Sequence, residues 1–228
     1  MTNPLSRLLS RWSSRRRTVA IISVFGAIAL FNFLTASPAA AHHPFGGNTP
    51  TNAFQGFLSG LGHPVIGVDH LVFTIATGLL AVGIVRGGII PVAFAATGVL
   101  GTGIHLMGLD VPAPESIISL SVVVSGLFLA LRQRPSVLMI AAVAAIAGIF
   151  HGYAYGEAII GAEMTPTFSY LLGFTLIQLA IAFTAYVVAR LAVAPTQASL
   201  QASALPIRFA GFMILGAGTA FLSSVILG

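Results

Sequence analysis

Apolar stretches of about 20 residues, the length a bilayer core requires of a helix, recur along this chain with only short interruptions. Lipid offers the backbone no hydrogen bonds, so such stretches cross as helices that close their own N–H and C=O groups. The composition leaves no soluble alternative. Of the 228 residues, 57% are hydrophobic and only 7% are charged, with a mean hydropathy of +0.99, too few polar side chains to clothe a globule of this size in water. The spacing predicts spans near 63–85, 88–108, 114–131, 136–158, 166–190 and 206–227. Between them stand Arg86-Gly87-Gly88, Pro112 and Pro114, Arg134-Pro135, Thr165-Pro166 and the stretch from Pro195 to Pro206, the punctuation expected of turns. The predicted fold is an all-α membrane protein, a bundle of six transmembrane helices.

A seventh apolar segment precedes these in the precursor. Arginines up to Arg17, an apolar run from Val19 to Leu34 and then Ser37-Pro38-Ala39-Ala40-Ala41 follow the order of a cleavable secretory signal. Cleavage after Ala41 would divide the chain into a signal peptide, 1–41, an external lead-in, 42–62, and the six-helix domain, 63–228. His42 to Gln55 is rich in Gly, Pro, Asn and Thr, which predicts a loosely ordered segment. Its first residues, His42-His43, would stand beside a free amine, an arrangement that chelates copper or nickel and equally suits a plain flexible terminus.

Arg7, Arg11, Arg15, Arg16 and Arg17 account for the whole formal charge of +5, because five arginines balance five acids after residue 41. A nucleic-acid partner therefore has no basic surface to meet. Arg86, Arg132, Arg134, Arg190 and Arg208 fall in the first, third and fifth connections, whereas Asp110, Glu115 and Glu163 fall in the second and fourth, with Glu157 at the fourth's edge. By the positive-inside tendency the arginine-bearing connections are cytoplasmic and both mature termini external, as a secretory signal also requires. The predicted location is a bacterial-type inner membrane with periplasmic termini.

Cysteine and lysine are both absent. Disulfides, thiolate metal sites, iron–sulfur clusters and Schiff-base chemistry are thereby removed, and a metal would have to bind through imidazole and carboxylate. Ionisable groups within a span are costly and invite a functional reading. Counting about 1.5 Å per residue, His70 and His151 lie level with each other, roughly 10 Å below the outer surface. The predicted deep site is Asp69, His70 and His151, with His63 and His105 as a mouth site and Asp110 and Glu157 at the rim. His63 and His70 share a helical face but would be about 10 Å apart along a straight axis, a gap that unwinding at Pro64 and Gly67 would close. Asp110, Glu115 and Glu163 sit in connections, where a solvated acid needs no further explanation, and Tyr153 and Tyr155 fit either an interfacial aromatic belt or the lining of the ion's path. Small-residue stripes, Ala144, Ala147 and Gly148 near His151 and Gly98, Gly101 and Gly108 near His105, place both histidines at helix–helix interfaces. Imidazole with carboxylate suits nickel, cobalt, zinc or copper(II), and the donor set alone does not choose among them.

Two segments carry a resemblance. His63-Pro64-Val65-Ile66-Gly67-Val68-Asp69-His70 resembles the His-x5-Asp-His motif in the first mature helix of the HupE/UreJ family of nickel and cobalt permeases. Phe150-His151-Gly152-Tyr153-Ala154-Tyr155-Gly156-Glu157 is similar to that family's fourth-helix motif, Phe-His-Gly-x-Ala/Val-His-Gly-x-Glu, with two departures. Tyr155 stands at the second histidine, and Ala158 at the glutamate, with Glu157 one residue before it. The resemblance covers essentially the whole chain. It implies a metal-handling role for His63, Asp69, His70, His151 and Glu157, and no ligand role for Tyr155. It also implies that the ion is nickel or cobalt and enters the cytoplasm for metalloenzyme maturation.

No Gly-x4-Gly-Lys-Ser/Thr loop occurs, so transport would be secondary or channel-like. The expected partners are a divalent ion as cargo and the lipid bilayer, with a second copy of the chain and a cytoplasmic metallochaperone as further candidates. No prosthetic group is expected. Other readings fit the same residue types: a zinc-dependent intramembrane hydrolase, a metal sensor or storage protein, and a haem-binding bundle.

Overall fold

The computed structural model of the protein describes residues 48–193 and 205–227. The expected signal peptide, the His42-His43 pair and residues 194–204 lie outside the described residues. Among the described residues seven α-helices follow one another: α1 (Ala53–Ile66), α2 (Val68–Ala81), α3 (Ile89–Leu106), α4 (Pro114–Ala130), α5 (Val137–Gly156), α6 (Met164–Ala192) and α7 (Leu205–Leu227), with a 3-10 turn, Glu157–Ile159, after α5. No strand occurs among the described residues. Helix α3, α5 with its 3-10 turn, α6 and α7 are each long and apolar enough to cross a membrane, and α4 is apolar but only 17 residues long. Helices α1 and α2 form one apolar unit bent by 82°. The spans expected from 88 onward coincide with α3 to α7 to within a few residues.

The first span and its lead-in differ from expectation. A helix begins at Ala53, ten residues before the predicted boundary, and the lead-in is ordered from there. Asn52 caps it by accepting from the Gln55 backbone N–H at 3.0 Å, while the Gln55 side chain reaches back to the Thr51 backbone N–H at 2.9 Å. This reciprocal pairing satisfies donors that a helix start leaves without partners. The same Asn and Gly residues that read as loop are thus a cap followed by a packing face. Gly56 and Gly60 let α1 settle onto α6 so closely that a Cβ at either would strike the carbonyl of Pro166 or of Tyr170.

The bend has a local cause. Pro64 has no N–H to donate within α1, and Val65, Ile66 and Val68 are β-branched residues with restricted χ1 in a helix. The helix ends at Ile66, and Gly67 is extended (φ −70°, ψ 103°) before α2 begins.

Four helix pairs are built on glycine. Alongside α1 and α2 with α6, α3 packs on α5 through Gly98, Gly101, Gly148 and Gly152, and α4 packs on α7 through Gly126, Gly211 and Gly218. Close backbone approach of this kind is how helices associate where apolar burial offers no advantage over lipid. Large side chains meanwhile point outward, Leu138, Phe183 and Met213 being 71%, 67% and 73% exposed.

The arginines gather at one end of the bundle. Arg134 Nη1 donates to the Leu80 and Val82 carbonyls at 3.2 and 2.8 Å, and Arg208 Nε donates to the Ala130 carbonyl at 2.9 Å. They satisfy carbonyls at the C-terminal ends of α2 and α4. At the other end the Thr49 hydroxyl donates to the Ile160 carbonyl at 3.3 Å, beside the connections that carry Asp110, Glu157 and Glu163, all exposed.

Candidate metal centre

A polar cluster lies inside the bundle. His63, His70 and His151 are each 1% exposed or less, and Tyr155, Tyr170 and Gln178 are as deeply buried. Four helical segments, α1, α2, α5 and α6, meet here. The 82° bend turns α1 across the start of α2, so the rings of His63 and His70 come within 5.9 Å of each other, centroid to centroid. Helix α5 supplies His151 and Tyr155, four residues apart and therefore on one face. The His151 ring lies 4.8 Å from that of His70, with their Nδ1 atoms 2.7 Å apart. Tyr155 sits between the two halves of the broken span, 4.9 Å from His63 and 4.7 Å from His70. Gly148, Gly152 and Gly156, on a neighbouring stripe of α5, hold the helix against α3, which fixes the depth at which His151 and Tyr155 stand.

Helix α6 contributes residues that sequence reading did not single out. The Tyr170 hydroxyl donates to the Tyr155 carbonyl at 2.8 Å and lies 2.9 Å from His63 Nδ1. Two turns further on, the Gln178 amide donates to the Tyr155 hydroxyl at 2.9 Å. From α4, the Ser121 hydroxyl donates to the Ile118 carbonyl at 2.6 Å and lies 3.0 Å from His151 Nε2. A glutamine in the middle of a span, with a tyrosine eight residues before it, was the available signal, since buried polar groups there demand partners.

The expected grouping is partly rearranged. His70 and His151 come together as expected. Asp69, half-buried in the first turn of α2, turns one carboxylate oxygen onto the His70 backbone N–H at 2.8 Å. A negative charge there is favoured by the helix dipole. His63 does not stand at a mouth with His105; it is wholly buried beside His70. His105 instead packs on the other side of α5, its ring 4.4 Å from Tyr153 and against Gly156. There it lines an open cavity of about 350 Å³ together with Asp110, Tyr153 and Gly161. Glu157 is exposed in the 3-10 turn and does not reach the histidines. Tyr155 is no belt residue, being fully enclosed. Among the described residues, no three His, Cys, Asp or Glu side chains form a group that could hold a metal ion. What the arrangement offers is a buried imidazole cluster next to a single carboxylate, with aromatic walls and hydrogen-bonded ring nitrogens.

Known proteins place this architecture. The chain is similar to a curated relative, "Protein HupE" of Rhizobium leguminosarum bv. viciae, with 31% identity over 143 residues, 61% of this chain and 70% of that one. No solved structure matches. The family described as "HupE / UreJ protein" matches residues 28–221. With a match over most of its length, from before the first helix to within α7, the chain is an integral membrane protein and belongs to the HupE/UreJ family.

Proposed function

We propose that the protein is a permease that carries a divalent transition-metal ion, nickel or cobalt, inward across a bacterial inner membrane, through six spans of which the first is the broken pair α1 and α2. The observation that carries this is the bend at Gly67, which brings His63 and His70 together inside the bundle and next to His151. A broken helix that presents polar groups at membrane depth is a recurring way to build a transport site. Family membership favours transport over a hydrolase or a sensor, and the reading is of a carrier and not an enzyme.

The two ends of the bundle support an inward direction. With the arginine-rich end in the cytoplasm, the exposed acids Asp110, Glu157 and Glu163 and the cavity at His105 face outward and raise the local cation concentration. Asp69 lowers the cost of a cation at the depth of His70. The membrane potential, inside negative, supplies about 2.3 kcal/mol per charge per 100 mV, and so drives a divalent ion inward without ATP.

The test is the metal content, by elemental mass spectrometry, of cells expressing the protein or its His70→Ala variant in medium with trace nickel, cobalt, zinc and copper. Nickel or cobalt is expected to accumulate with the native chain and to fall to background in the variant. A native chain that accumulates neither ion above cells lacking the protein would rule the permease out, and accumulation unchanged in the variant would rule out the site at His70.

A further inference from the structure

Proton positions in the histidine cluster follow from the oxygens around it. Two oxygens 2.6 Å apart, Ser121 Oγ and the Ile118 carbonyl, need a hydrogen between them, and only the serine has one to give. The His151 Nε2 atom, 3.0 Å from the same Oγ, must therefore bring its own hydrogen. A neutral His151 protonated at Nε2 has an accepting Nδ1. The 2.7 Å contact between the Nδ1 atoms of His151 and His70 then needs its hydrogen from His70, which leaves the lone pair of His70 on Nε2.

The same reasoning applies to His63. The Tyr170 hydroxyl hydrogen lies between Oη and the Tyr155 carbonyl, 2.8 Å apart. His63 Nδ1, 2.9 Å from Oη, is thus the donor in that contact, and its lone pair too is on Nε2. Two chains of hydrogen bonds, one ending on the Ile118 carbonyl of α4 and one passing through Tyr170 of α6 to the Tyr155 carbonyl of α5, set the two histidines of the broken span in the same tautomer.

We infer that His63 and His70 are the imidazole ligands of the cation, each through Nε2, and that His151 is not a ligand but a positioning residue. Both His151 nitrogens are engaged within the protein, and together with Ser121 it holds His70 in the ligating tautomer, as Tyr170 holds His63. The inference rests on reading the cluster as a metal-ion site. Fixing a ligand's tautomer through a partner on its other ring nitrogen is a general requirement of histidine ligation, and loss of such a partner costs 10–100-fold in affinity or activity.

Two measurements test this on the full chain. In detergent, with ¹⁵N-labelled histidine and no metal, long-range ¹H–¹⁵N correlation spectra are expected to show Nε2–H for His151 and Nδ1–H for His63 and His70. Any other pattern overturns the inference. In cells, Ser121→Ala is expected to raise the half-saturating nickel or cobalt concentration for uptake about 10-fold or more at unchanged protein level, and Ser121→Thr, which keeps the hydroxyl, to restore it. An unchanged half-saturation in Ser121→Ala would overturn the positioning role, as would a Thr variant no better than Ala. A native chain that shows the tautomer pattern yet takes up neither ion would sink the permease reading and leave the proton assignment standing.

Discussion

Tyr155 stands where the family motif carries a histidine, and it fills that place as a wall between His63 and His70. Its hydroxyl is held by Gln178, so removing it strands a buried amide donor. Tyr155→Phe is expected to destabilise the protein by about 1–3 kcal/mol, the cost of an unsatisfied buried polar group. Thermal unfolding in detergent would measure this, and an unshifted transition would show that the pair contributes nothing. The histidines themselves were legible in the sequence, because an ionisable group within an apolar span stands out against its surroundings. Ser121 was not, since a serine hydroxyl in a span has an ordinary use, bonding a backbone carbonyl about one turn back, as it does to Ile118. Only the approach of a second helix shows that the same oxygen also meets an imidazole.

At the scale of elements, glycine has different meanings in positions that look alike. Gly152 and Gly103 both lie within helices, but a Cβ at Gly152 would run into the Gly98 carbonyl, whereas one at Gly103 would meet nothing within 4 Å. Gly152→Ala is expected to cost about 1–3 kcal/mol through forced separation of α3 and α5. Gly103→Ala is expected to gain up to about 1 kcal/mol from helix propensity. Melting temperatures of the two variants in detergent should therefore move in opposite directions, and a parallel shift would contradict the packing described. Helix ends were largely legible, since α3 to α7 begin and end at the arginine, glycine and proline breaks. Helix α1 was missed because its cap residue and its packing glycines have the composition of a loop. The choice between the two depends on α6 being there to receive Gly56 and Gly60.

At the scale of the whole molecule, the charges divide the bundle into an arginine end and an acidic end. The proposed orientation predicts that a cysteine introduced at Ile160, 56% exposed, is labelled by a membrane-impermeant maleimide in intact spheroplasts. One at Val85, 85% exposed, should react only after permeabilisation. The native chain has no cysteine, so there is no background, and the reverse pattern would invert the topology and the proposed direction of transport.

Hydropathy, charge order and punctuation determined by themselves that this chain is a helical membrane protein and where most of its spans lie. These are properties of consecutive residues, and a bilayer reads them one segment at a time. They also marked His63, Asp69, His70 and His151 as residues of consequence. Only the tertiary structure decided how these meet: the placing of Tyr155 against both His63 and His70, the packing of His105 on Tyr153 and Gly156, and the engagement of both His151 nitrogens. Each depends on distances between segments far apart in sequence, which helix packing sets and local sequence does not encode.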